Sequence, residues 1–140
     1  MPTVEVLYTP AILGLASSLA DWPLNDGLPL QSTARSKSCG SSLTLGLALD
    51  GEGRIARVGL KTHACAIGQA AAALFAAGAA GKDAAEIAAM DEGLRTWLTG
   101  EGPRPDWPGI DMLERARAYP ARHGAIGLAW RAARDLLPSG

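Results

Sequence analysis

The chain reads as an α+β protein, a small antiparallel sheet of about three strands covered by helices. Two stretches carry that class. Leu43, Leu45, Leu47 and Leu49 alternate with Thr44, Gly46, Ala48 and Asp50, a period-two pattern with one buried face. Downstream, an Ala- and Gly-rich apolar run from about Ala64 to Ala80 is too long for a strand and reads as a buried helix. The 140 residues, 48% hydrophobic and 19% charged, are enough for one substantial core and exclude disorder.

Taken in order, Val4, Leu7, Ala11, Ile12, Leu15 and Leu19 recur at helical spacing, and Pro10 marks the point where that helix can begin. Trp22-Pro23 and Asn25-Asp26-Gly27 are loop chemistry. Residues Leu30 to Lys37 supply a third, weaker strand before the leucine strand. Asp50-Gly51-Glu52-Gly53 turns the chain into a second long strand through Ile55, Val58 and Leu60, and the phase break between Ile55 and Val58 predicts a bulge. Thr62 or His63 opens the long helix, which Gly78 or Gly81 ends. Asp83 with Glu86 makes a capping box for a short helix. Another short helix, about Asp91 to Thr99, carries Leu94, Trp97 and Leu98. Pro103, Pro105 and Pro108 stiffen a loop, Ile110 to Ala118 is helical, and a final helix after Tyr119-Pro120 turns Ile126, Trp130, Ala133 and Leu137 inward. Residues 1–140 show no internal repeat and no boundary, so one domain is expected.

A net charge of −1 with a pI near 6.1 leaves no footprint for nucleic acid or an anionic membrane. The arginines that gather late in the chain (Arg115, Arg117, Arg122, Arg131, Arg134) read as solvated helix faces or as a docking surface for an acidic partner. The apolar run is alanine-rich and contains Gln69, unlike a membrane span. No basic leader precedes the first residues, so the cytoplasm is the expected location.

The chemistry points to two thiols, Cys39 and Cys65, expected to be reduced. With the turn at residues 50–53, residue i faces roughly residue 103 − i, which sets Cys39 against about Ala64 and makes the thiols neighbours. Cys65 falls in the first turn of the long helix, where the positive end of the macrodipole favours a thiolate, and Lys61 and His63 add to that. The alternative is that both are small buried hydrophobes. His63, two residues before Cys65, offers a third ligand; the alternative for His63, and the reading of His123 by itself, is a polar surface or core histidine. The sequence holds no phosphate loop and no nucleophile elbow.

Ser38-Cys39-Gly40-Ser41, the leucine strand, Asp50-Gly51-Glu52-Gly53 and Leu60-Lys61-Thr62-His63-Ala64-Cys65-Ala66-Ile67 together resemble the IscU/NifU family of iron–sulfur cluster assembly scaffolds. In that pattern Ala-Cys-Gly-Asp precedes a strand, and Lys-Thr-x-Gly-Cys starts a helix of small residues. The resemblance runs from about Tyr8 to Leu137. Tyr119-Pro120-Ala121-Arg122, Leu128-Ala129-Trp130 and the long insert after Cys65 are similar to the SufU branch. It implies that Cys39 and Cys65 are the first two cluster cysteines. The family's aspartate falls on Ser41 and its third cysteine on Ala125, so two of four ligands remain, with His63 and His123 as candidates to add to the metal site. The implied cargo is an iron–sulfur cluster or zinc. The implied partners are a cysteine desulfurase and cluster-recipient proteins, and a homodimer sharing two thiolates from each chain would complete the site. Three functions stay open: a variant scaffold, a carrier that accepts persulfide sulfur on Cys39, and a relative that binds partners without metal. A scaffold rather than an enzyme is the expectation, with sulfur transfer as the alternative.

Overall fold

The leucine alternation folds as expected into the central strand of a three-stranded antiparallel sheet. The structure, a computed structural model, describes residues 9–36 and 40–137, so Val4, Leu7 and Cys39 lie outside the described residues. The strands are β1 (Leu30–Arg35), β2 (Ser42–Leu49) and β3 (Ile55–His63), in the order β1-β2-β3. Leu43, Leu45 and Leu47 are all at or below 2% exposure. Leu45 faces Ser32 on one side and Leu60 on the other, and Leu43 faces Ala34, so the buried face of the sheet is apolar except where Ser32 and Thr62 join its edges.

The hairpin differs from its expected register by two residues, for two reasons. The turn is one residue longer than the Asp50–Gly53 reading, because the Asp50 amide donates to the Arg54 carbonyl at 2.8 Å. Its carboxylate accepts from the Glu52 amide at 2.8 Å and the Arg54 amide at 3.0 Å, while Gly53 sits at φ +79°. The Arg54 amide first, then the Glu52 amide, hold the Asp50 carboxyl below its ordinary value of 3.8. The second residue is the predicted bulge: Ala48 pairs with Arg57 and Leu49 with Ile55, which leaves Ala56 as the extra residue.

The opposite face of the sheet is covered at its centre, which alternation alone does not reveal. The chain passes the outer edge of β3, where the Leu60 amide donates to the Trp22 carbonyl at 2.8 Å, and then crosses over the paired Gly46 and Gly59. A Cβ on Gly59 would stand 2.6 Å from the Pro23 carbonyl oxygen, and one on Gly46 2.8 Å from a Leu24 methyl. Two glycines face to face let Leu28 sink to 3% exposure there.

Helix α1 (Pro10–Ser17) begins at the proline, with Thr9 as its cap: the hydroxyl accepts from the Ile12 amide at 3.3 Å. Helix α2 (Ala66–Gly78) starts later than Thr62 or His63, because β3 keeps its pairing through His63 opposite Ser42 and the Thr62 hydroxyl donates to the Ser42 carbonyl at 3.1 Å. Small residues from Ala70 to Ala76, with Leu74 and Phe75, are buried around nearly the whole of α2, as suits a central helix. It packs against α1 and β3.

Asp83 and Glu86 form the reciprocal capping box of α3 (Ala84–Leu98). The two short helices expected here are one continuous helix. Nothing between Met90 and Leu94 breaks it, and Gly93 is covered by Pro105 at 3.5 Å from its would-be Cβ. Residues Ile110–Ala118 wind as a 3-10 helix after Gly109 at φ +80°. The expected final helix is two, α4 (Pro120–Ile126) and α5 (Leu128–Leu136), broken at Gly127. The inward face survives the break: Ile126, Trp130, Ala133 and Leu137 are buried, and α5 lies across β1 and β2. Phe75 stacks on Trp107 at 5.8 Å, with Trp130 edge-on to both. The Trp107 indole donates to the Leu74 carbonyl at 2.8 Å, whereas the buried Trp130 indole nitrogen has no partner among the described residues.

Candidate thiol site at a strand-to-helix junction

Where β3 leaves the sheet and α2 begins, an open cleft of about 400 Å³ forms between the ends of the sheet and the helix. Gly40 and Ser41 line one side, Thr62, His63, Ala64 and Cys65 the other, with Gln69 on the first turn of α2. Cys65 is the N-cap residue, not a first-turn residue as its sequence position suggests. Its backbone is extended (φ −65°, ψ 167°), its thiol makes no capping bond, and it is a half-buried free cysteine. The side chain is therefore not committed to the helix end; it borders the cleft and packs in part against the core.

The walls are fixed by short local bonds. The Gln69 amide N–H donates to the Cys65 carbonyl at 3.0 Å, while the Gln69 side chain donates to the Ala64 carbonyl at 2.9 Å. Across the cleft, the Ser36 amide donates to the Ser41 carbonyl at 2.8 Å, closing the connection between β1 and β2. Gly40, at φ +69°, is the residue covalently next to Cys39 and stands on the wall opposite Cys65. Ser41 is 5% exposed. No carboxylate lines the cleft; His63, exposed, and Cys65 are its titratable side chains among the described residues.

His123 sits elsewhere. Its Nε2 donates to the Arg117 carbonyl at 3.1 Å, a carbonyl being able only to accept, and it borders a different cavity that shares no residue with the cleft. Among the described residues no three His, Cys, Asp or Glu side chains converge on a point, so His63, Cys65 and His123 do not form a ligand triad there. Ala125, 3% exposed, packs against Gly68, one turn along α2 from Cys65; a Cβ on Gly68 would meet that of Ala125 at 3.2 Å. The position the family pattern gives to a third cysteine thus lies beside the thiol helix but carries a methyl group. Sequence reasoning gave Gln69 and Thr62 no part in the site. Gln69 had one signal, as the lone polar residue in an apolar run.

A half-buried thiol in a strand-to-helix cleft, over a three-stranded antiparallel sheet backed by helices, defines the α+β class of the chain. No protein-family model matches the chain, and no curated protein matches it. Solved structures do. A nitrogen-fixing NifU-like protein (N-terminal) from Brucella abortus is 28% identical, with a TM-score of 0.83 over 95% of this chain and 93% of that one. A protein assigned as an iron–sulfur cluster assembly scaffold for the SUF system of the thermophile Fervidobacterium islandicum AW-1 shares the fold. It is 20% identical, with a TM-score of 0.80 over 97% of this chain and 100% of that one. The chain is thus similar over nearly its whole length to a NifU-like N-terminal domain and shares its fold with a SUF-system scaffold, which supports an IscU/NifU/SufU-like assignment. No helix among the described residues is long and apolar enough to cross a membrane.

Proposed function

We propose that the chain is a scaffold-like protein of iron–sulfur cluster assembly that binds iron and sulfide, or zinc, through Cys39 and Cys65. The observation that carries this reading is the Cys65 cleft, found in a fold that aligns over nearly its whole length with a NifU-like domain. A cysteine desulfurase is the expected source of sulfur, and cluster-recipient proteins are the expected destination.

The donor set falls short of a closed site. Clusters are commonly held by four cysteines and structural zinc by four ligands, whereas this chain has two cysteines, with Ser41 and Ala125 at the other two family positions. Outside ligands complete the set in this reading, and a second copy giving two thiolates supplies four in all. The same shortfall supports a second reading, in which Cys39 accepts persulfide sulfur and passes it on by thiolate exchange.

Metal and acid-labile sulfide, measured after anaerobic purification of wild type, Cys39→Ala and Cys65→Ala, decide between them. The scaffold reading expects iron with sulfide in wild type and its loss in both variants. Persulfide on Cys39 that passes to an acceptor thiol, without bound iron or sulfide, favours sulfur transfer. A wild-type protein with neither metal nor sulfide, and no persulfide on Cys39 after incubation with a desulfurase and cysteine, overturns both.

A further inference from the structure

Between the C-terminal half of α3 and the corner where α4 meets α5 lies a second cavity of about 270 Å³, apart from the thiol cleft. The broken helix creates it. Gly124 and Gly127 give the corner no side chains, and a Cβ on Gly127 would meet nothing nearer than the His123 carbonyl at 3.9 Å. Leu98 and Thr99, at the end of α3, form the facing wall.

Charge at this cavity is unbalanced. The Asp91 side chain is only 5% exposed, and its Oδ2 accepts from Arg95 at 3.2 Å and from Arg134 at 3.1 Å. That carboxylate is therefore committed to its own arginines. Arg131, on the rim, donates to the Arg35 carbonyl and has no carboxylate partner among the described residues. Two guanidiniums, of Arg95 and Arg131, thus line the cavity with one carboxylate and the His123 ring, beside the open corner at Gly124 and Gly127; Arg134 reaches Asp91 from outside the lining. The excess is positive, which disfavours a cationic ligand, and the planar fork of a guanidinium matches a carboxylate with two parallel bonds. The volume lies just under the usual range of ligand pockets and suits a molecule the size of one ring.

We infer that this cavity binds a small monocarboxylate with an apolar body, its carboxylate held by Arg131 and Arg95 and its body laid against Leu98 and the glycine corner. The inference is independent of the cluster reading, and its test does not involve metal. The labelled full chain is titrated with phenylacetate, hexanoate and benzylamine while the amides of Thr99, Gly124 and Gly127 are followed by NMR. Both carboxylates are expected to saturate those shifts with a Kd of about 1 mM or tighter, and benzylamine to bind at least about tenfold more weakly. Arg131→Gln is expected to weaken phenylacetate by about tenfold or more. Gly127→Leu fills the space and is expected to abolish binding, with the rest of the spectrum reporting the fold; should that variant not fold, Arg131→Gln decides. Absence of saturable shifts with both carboxylates, equal binding of benzylamine, or wild-type binding by folded Gly127→Leu or by Arg131→Gln overturns the inference.

Discussion

Asp91 stands in the middle of a helix at 4% exposure, where an ionised carboxylate is stable only because two guanidiniums share one of its oxygens. Removing it leaves two arginines without their partner, but both reach water, so the loss is moderate. Asp91→Ala is expected to cost about 1–3 kcal/mol in urea unfolding. Asp91→Leu, which restores the buried volume, should cost clearly less. Asp50 offers a test by pH. Its folded carboxyl lies below the ordinary value of 3.8, so the stability it contributes is present above that value and lost as pH falls through the folded one. Wild type should therefore lose stability relative to Asp50→Asn below about pH 4, and the difference between them should be flat at neutral pH. A difference that stays constant down to acid pH would contradict the bonding seen in the turn. At this scale the place of His63 and Cys65 on one cleft followed from their spacing. The place of His123 did not, because its bond to the Arg117 carbonyl depends on how the chain turns at Tyr119-Pro120.

Elements with local causes were legible, and those set by distant contacts were not. The leucine strand, the bulge and the Asp83–Glu86 box rest on spacing within a few residues. The start of α2 does not: Thr62 and His63 have neighbours suited to a helix, but pairing with β2 holds them in the sheet. The break at Gly127 was hidden for a related reason, since an inward face continues across it and a single helix fits the periodicity equally well. Two variants probe these causes by thermal or urea unfolding. Asp83→Ala should cost about 0.5–2 kcal/mol, the usual loss for an N-cap, with the start of α3 exchanging its amide hydrogens faster. Gly59→Ala should cost about 1–3 kcal/mol, because the added methyl meets the Pro23 carbonyl, a backbone group that cannot swing away.

For the molecule as a whole, the sheet is the floor on which everything else is placed. Leu45, wholly buried between β1 and β3 and facing the helices, should be among the most sensitive positions: Leu45→Ala is expected to cost about 2–5 kcal/mol. The α+β class followed from alternation and one apolar helix. The cover on the second face did not, because residues 22–28 have the composition of an ordinary surface loop and only the Gly46–Gly59 pair shows where they settle. The site was legible in the same partial way. The cysteines, and the absence of their expected companions at Ser41 and Ala125, are written in the sequence. The cleft wall made by Gln69 and Thr62 depends on where the strand ends.

Ala56, the extra residue in β3, has a consequence for the thiol some nine positions further on. In a strand, each residue inserted or removed exchanges the two faces for everything that follows. Ala56 therefore works as a half-turn adjustment in the chain's orientation: it lets Ile55 and Leu60 both face the helices although one is odd-numbered and the other even. Take it out, and the hairpin can still close, but only with Leu60 and Thr62 rotated away from the core or with the strand slipped by one place. Either outcome carries Cys65 to a different position relative to Gly40 and Ser41. The address of the sulfur is thus written at the far end of the strand, in a residue that never approaches it.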